Sequence, residues 1–181
     1  MFAFRMMTLT LSLVLMSASA LAQQNPFSTG PVIEAFGQNA PVDATIPVSR
    51  DMVYRVSFDI GEGAAPGQIS RDLNTPARFI NMMARAGVPL ENIQVAVVIH
   101  GSAVVDVTRD SVYEARNQTS NANRPLVEAL LKAGAHFYVC GQSAAGQRVM
   151  TQDLLPGVDM VLSAITAHAI LGNEGYRPNP F

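Results

Sequence analysis

The stretch IQVAVVI, residues 93–99, is apolar at every position except Gln94, and HGSA follows it directly. A run of that length without alternation reads as a strand buried on both faces. Such strands occur in parallel sheets covered by helices on either side, so this segment sets the fold class. The neighbouring sequence agrees. Upstream, MVYRVSFDI (52–60) alternates, with Tyr54, Val56, Phe58 and Ile60 on one side and Val53, Arg55, Ser57 and Asp59 on the other. Period two predicts a half-exposed strand. Between the two strands, LNTPARFINMMARAG reads as a helix with Thr75 as cap, Pro76 at its first position and Gly87 as its stop. Phe79, Ile80, Met83 and Ala86 form its apolar stripe.

Downstream the alternation continues. Residues 102–120 read as a short helix or a loop, with Asp106, Arg109, Asp110 and Arg116 as a solvated mixed-charge face. NANRPLVEALLKAG predicts a helix with Asn123 as cap and Gly134 as stop. AHFYVC (135–140) is a second buried strand, QSAAGQRVM starts a short helix, and VDMVLS (158–163) is a fourth strand. AITAHAILGNEG is the last helix, and YRPNPF a tail. Strands alternating with helices imply an α/β three-layer sandwich with a mainly parallel sheet. Chemistry in such sheets gathers at the carboxyl ends of the strands. Here those ends are His100-Gly101, Cys140-Gly141 and Ser163.

The first residues follow a different pattern. Arg5 precedes an apolar run, and Ala20 and Ala22 occupy the −3 and −1 positions of a cut before Gln23. That is the layout of a secretory signal peptide over residues 1–22; the apolar run is too short for a membrane span, which needs about 20 residues. The expected organisation is a leader (1–22), an extended N-terminal arm (23–50) and an α/β domain (51–181). Val32, Ile33 and Phe36 anchor the arm on the domain or on a neighbouring subunit. Removing the leader removes one arginine and no acids, leaving 11 basic and 14 acidic residues, a net charge of −3. A weakly acidic chain without a basic run points away from nucleic acid, and no second apolar segment is long enough to cross a membrane.

Cys140 is the only cysteine, so no internal disulfide can form. An exported free thiol is a liability unless it is buried or used. Cys140 stands between a strand and a helix start, where partial positive charge and free N–H groups favour a thiolate. A nucleophilic thiol and a packed structural cysteine are both consistent with that position. His100, at a strand end, suits either a proton-transfer role or a loop anchor. His168 reads as structural and His136 as ordinary surface. Three dispersed histidines and one cysteine form no metal pattern, and no cofactor motif is present: there is no GxGxxG and no P-loop. GQSAAG has the wrong spacing for a nucleophile elbow, so Ser143 is not a hydrolase serine.

VIHG, VCGQS, LLPGVDMVLSAITA and the closing GY..NPF, in this order with FDI and the LN…RFIN helix, resemble the DsrE/DsrF-like family, closest to its exported single-domain members. The resemblance runs from about residue 31 to the end. It implies a DsrE-like (flavodoxin-like variant) α/β domain, commonly assembled into trimers or hexamers. Some members relay sulfur: a cysteine takes it up as a persulfide and passes it to a partner protein. Cys140 is similar in place to that acceptor, and His100 and Gly101 resemble the strand-end His-Gly of the exported members. With Gly141, Gln142 and Ser143 beside the sulfur as ligand-binding residues, the expectation is an exported, periplasmic sulfur carrier that uses Cys140. The alternative is a non-catalytic oligomeric binding module with a structural cysteine.

Overall fold

In the computed structural model, residues 25–180 are described. The expected leader lies outside them. Five strands form one sheet: β1 (Tyr54–Ile60), β2 (Ile93–Ile99), β3 (His136–Cys140), β4 (Val158–Val161) and β5 (Arg177–Pro178). Their order is β4-β3-β2-β1-β5, and every pairing is parallel. The helices are α1 (Arg71–Arg85), α2 (Asp110–Asn117), α3 (Arg124–Lys132), α4 (Gly141–Gly146) and α5 (Ala164–Asn173).

Handedness explains which face each helix covers. From β1 to β4 the chain advances strand by strand in one direction, so right-handed crossovers put the intervening helices on one face. Leu73, Ile80, Leu126, Leu130 and Ala144 from α1, α3 and α4 accordingly share one core with Phe58, Ile60, Val95, Val97 and Val139. After β4 the chain reverses and crosses the sheet to reach β5. The same rule sends α5 to the opposite face, where Ala167 and Leu171 pack on Ala96 and Val98. The α/β fold with helices on both faces is therefore as the sequence indicates, and the sheet is wholly parallel.

Several boundaries differ from expectation. The first helix starts earlier: Ser70 Oγ accepts from the Leu73 N–H at 3.1 Å, and Pro76 lies inside α1. Thr75 is within the helix, its hydroxyl donating to Arg71 O. Asn123 stands at the start of α3, but its Oδ1 accepts from the Ser70 N–H at 2.6 Å rather than from its own helix. The tail supplies a fifth strand: Val56 pairs with Arg177 and Ser57 with Pro178. Residues 101–107 form a 3₁₀ turn, and α2 follows. Asp106 belongs to no solvated face. It is 3% exposed, and its Oδ2 accepts from the Ala64 N–H at 2.7 Å, which ties the loop after β1 to that turn.

The arm packs on its own domain. Asn81 in α1 is fully buried and makes five hydrogen bonds to arm backbone, accepting from Val32 and Ile33 N–H and donating to Ile33, Phe36 and Gly37 O. Ile33 enters the main core. Asn81→Ala strands those backbone groups and is expected to cost about 3 kcal/mol, read by denaturant unfolding, and to expose residues 30–40 to protease.

Asp106 makes stability pH-dependent. Burial pushes its carboxyl from 3.8 up to about 6, against the opposing Ala64 hydrogen bond. The folded chain therefore holds this proton at pH values where the unfolded chain has released it. The group's contribution is most favourable below about pH 4 and is lost as pH rises through about 6. Asp106→Asn keeps the acceptor for Ala64 and has no proton to lose. Thermal melts should show the wild type losing a few degrees relative to this variant between about pH 4 and pH 6.

Candidate functional site

The site lies at the carboxyl ends of β1, β2, β3 and β4, on the α5 face. Parity decides the face. Ala96 and Val98 of β2 face α5, and the backbone of His100 stays extended (φ −146°, ψ −170°), so His100 continues that row. Asp59 pairs with Val98, and Ile99 pairs with Val139, which makes His100 and Cys140 the next residues on adjacent strands. Asp59 is level with Val98, two residues short of His100, so Asp59, His100 and Cys140 share one face at the ends of three adjacent strands.

A glycine follows β1 and β3 at once, Gly61 and Gly141, and Gly101 follows β2 after His100. Two of them are required by close approach of backbone. Gly101 has φ +51°, and a Cβ there would lie 2.3 Å from Gly61 O. A Cβ on Gly141 would lie 2.7 Å from Val161 O, so only glycine lets α4 start against the end of β4. The His100 ring rests on Gly61, where a Cβ would come within 2.5 Å of the ring's Cε1.

Cys140 precedes α4 and is 5% exposed. Burial pushes its thiol up, but the hydroxyl of Ser143 and the N–H groups of Ser143, Ala164 and Gln142 bond the sulfur and bring it below the ordinary thiol range. Those N–H groups come from the starts of two helices, α4 and α5. Ser143 is oriented in turn, because its Oγ accepts from the Gly101 N–H at 3.0 Å and its own proton remains for the sulfur. Gln147 Nε2 donates to Gly101 O, holding the next peptide along. Gln142 Nε2 donates to Leu162 O at 3.3 Å and ties α4 to the link that leads into α5. Gly101, Gly141, Gln142 and Ser143 therefore all converge on Cys140, Gly101 through its backbone and Gly141 through its lack of a side chain.

His100 makes a different contact. Its Nε2 lies 3.0 Å from Asp59 Oδ2, and among the described residues no hydrogen bond joins it to Cys140. His168, expected to be structural, reaches back from α5 to Asp59 Oδ1 at 2.6 Å. Asp59 is thus held by two imidazoles on its two oxygens. Burial raises its carboxyl, and the hydrogen bonds from His168 and His100 outweigh that, leaving it below its ordinary value. One hint of this cluster is visible in the chain itself: Asp59 falls on the polar side of an alternating strand, at a carboxyl end. Its distance from His168, 109 residues, hides the pairing. His136 is exposed at the opposite end of β3. Among the described residues no group of three or more His, Cys, Asp or Glu is arranged to hold a metal ion, and no helix is long and apolar enough to cross a membrane.

Comparison with known proteins agrees with this architecture. A protein of unknown function from Methanobacterium thermoautotrophicum has a similar structure, with a TM-score of 0.53 and 27% identity over 70% of this chain and 97% of that one. No curated protein matches. The DsrE/DsrF-like family profile matches residues 58–178, from the end of β1 to the end of β5. That span holds every strand end described above, and the chain belongs to the DsrE/DsrF-like family.

Proposed function

We propose that this protein carries sulfane sulfur on Cys140. The observation that supports this most is the set of donors around the sulfur: three N–H groups from two helix starts and one oriented hydroxyl. A packed structural cysteine needs no such shell. The same donors suit the extra negative charge of a persulfide, and membership of a family linked to sulfur relay points the same way. In the step, the Cys140 thiolate attacks the outer sulfur of a donor R–S–SH. The Cys140 S–S bond forms, the donor S–S bond breaks, and R–S⁻ leaves with the electron pair and takes up a proton. A partner thiol later removes the outer sulfur by the reverse chemistry. Neither step is a net oxidation.

Export belongs to the same reading and rests on the leader-like residues 1–22, with the periplasm as the compartment. So does assembly into trimers or hexamers, for which Leu162 (71% exposed) and Ile165 (83% exposed) offer apolar surface beside the site. The second reading, an oligomeric binding module with a structural cysteine, draws on the near-complete cover of Cys140.

The two readings differ in what the thiol does. Alkylation of the native protein should rise with pH around a midpoint below about 8.5, the free-thiol value. Treatment with a polysulfide should add sulfur to the wild type and not to Cys140→Ser, as read by intact-protein mass. A thiol that reacts only after unfolding would favour the binding module. Gly101→Ala tests the shell itself. Displacing the Gly101 peptide frees the Ser143 hydroxyl, and the alkylation midpoint should move up toward the ordinary thiol value.

A further inference from the structure

We infer that Asp59 is a positioning residue that holds His100 as the proton donor to the leaving sulfur during exchange at Cys140, with His168 steadying the other carboxylate oxygen. This inference rests on the sulfur-carrier reading and extends it to residues that do not touch the thiol.

The carboxylate sets the tautomer of both histidines. An ionised Asp only accepts hydrogen bonds, so both imidazoles must carry hydrogen on Nε2, the atom each directs at Asp59. That leaves Nδ1 of His100 as the nitrogen that gains and loses a proton, and it has no hydrogen-bond partner among the described residues. His168 binds the second oxygen from another element, so the carboxylate cannot turn away from His100 without breaking its link to α5. The His100 ring also has a fixed seat on Gly61.

Cys140 does not need this apparatus to ionise, because its own shell of donors serves that purpose. The group that needs a proton is the departing thiolate of an alkyl persulfide, which is strongly basic. His100 follows β2 as Cys140 ends the adjacent β3, on the same face of the sheet. The balanced step is Cys140–S⁻ plus R–S–SH plus imidazolium giving Cys140–S–SH plus R–SH plus neutral imidazole. The imidazole then regains its proton from solvent.

Leaving-group dependence tests this directly. The full chain is treated with two donors, an alkyl persulfide and an aromatic thiosulfonate, and sulfur on Cys140 is followed by mass. The thiosulfonate releases a weakly basic sulfinate that needs no proton. Asp59→Asn keeps the size of the side chain but removes the charge and presents an N–H₂ group to one imidazole. It should slow transfer from the alkyl persulfide by about 10-fold or more while changing transfer from the thiosulfonate, and alkylation by iodoacetamide, by less than about twofold. His100→Gln should give the same selective loss, and it serves as the second variant if Asp59→Asn folds poorly. Equal slowing with both donors, or no slowing with either, overturns the role of Asp59 and leaves the sulfur-carrier reading intact. A wild type that accepts sulfur from neither donor overturns that reading and the inference together.

Discussion

The chain's reversal after β4 is the constraint on which the rest depends. Crossovers in a parallel sheet are right-handed, so a chain that adds strands in one direction covers only one face. The return from β4 to the far edge commits α5 to the other face. It also brings the tail alongside β1. Without that return, Ala96 and Val98 would face water, and β1 would be an open edge. The site depends on the same event, because α5 supplies both the Ala164 N–H at the sulfur and His168 at Asp59.

Glycine after each of β1, β2 and β3 meets a local need. At a carboxyl end the chain must turn at once toward its next helix while adjacent turns crowd each other. Gly101 and Gly141 answer that crowding by having no Cβ where a carbonyl oxygen already sits. The outcome is a set of peptide N–H groups and one hydroxyl gathered at the Cys140 sulfur, where they lower its pKa. The sulfur and the carboxylate have separate partners. Helix-start N–H groups face the sulfur, and the two histidines share the Asp59 carboxylate, with no hydrogen bond joining the two sets among the described residues.

Most of the fold is legible in the sequence because its signals are local. IQVAVVI has no polar side to offer solvent, and β2 spans those same residues. Cys140-Gly141 and His100-Gly101 stand out because a strand end beside glycine is a short-range pattern. What stays hidden needs three dimensions. Ser70 and Thr75 can both cap α1, and tertiary packing of Ser70 against Asn123 decides between them. Asp106 looks solvated beside Arg109 and Asp110, yet the turn after β2 buries it. The two-residue β5 is too short for periodicity to reveal. His168 reads as structural because nothing near it in sequence shows that α5 crosses the sheet to Asp59.

The length of chain between its parts gives the site a history. A ribosome makes Asp59 early and His168 more than a hundred residues later, and the Ala164 N–H arrives with the same late segment. Until that segment docks, the thiol lacks one of its donors and the carboxylate lacks one of its imidazoles. The complete surroundings of Cys140 and Asp59 are thus among the last features the chain acquires. A nascent or truncated copy lacks the Ala164 N–H beside Cys140 and the His168 imidazole on Asp59, so these two contacts report that the last helix has docked.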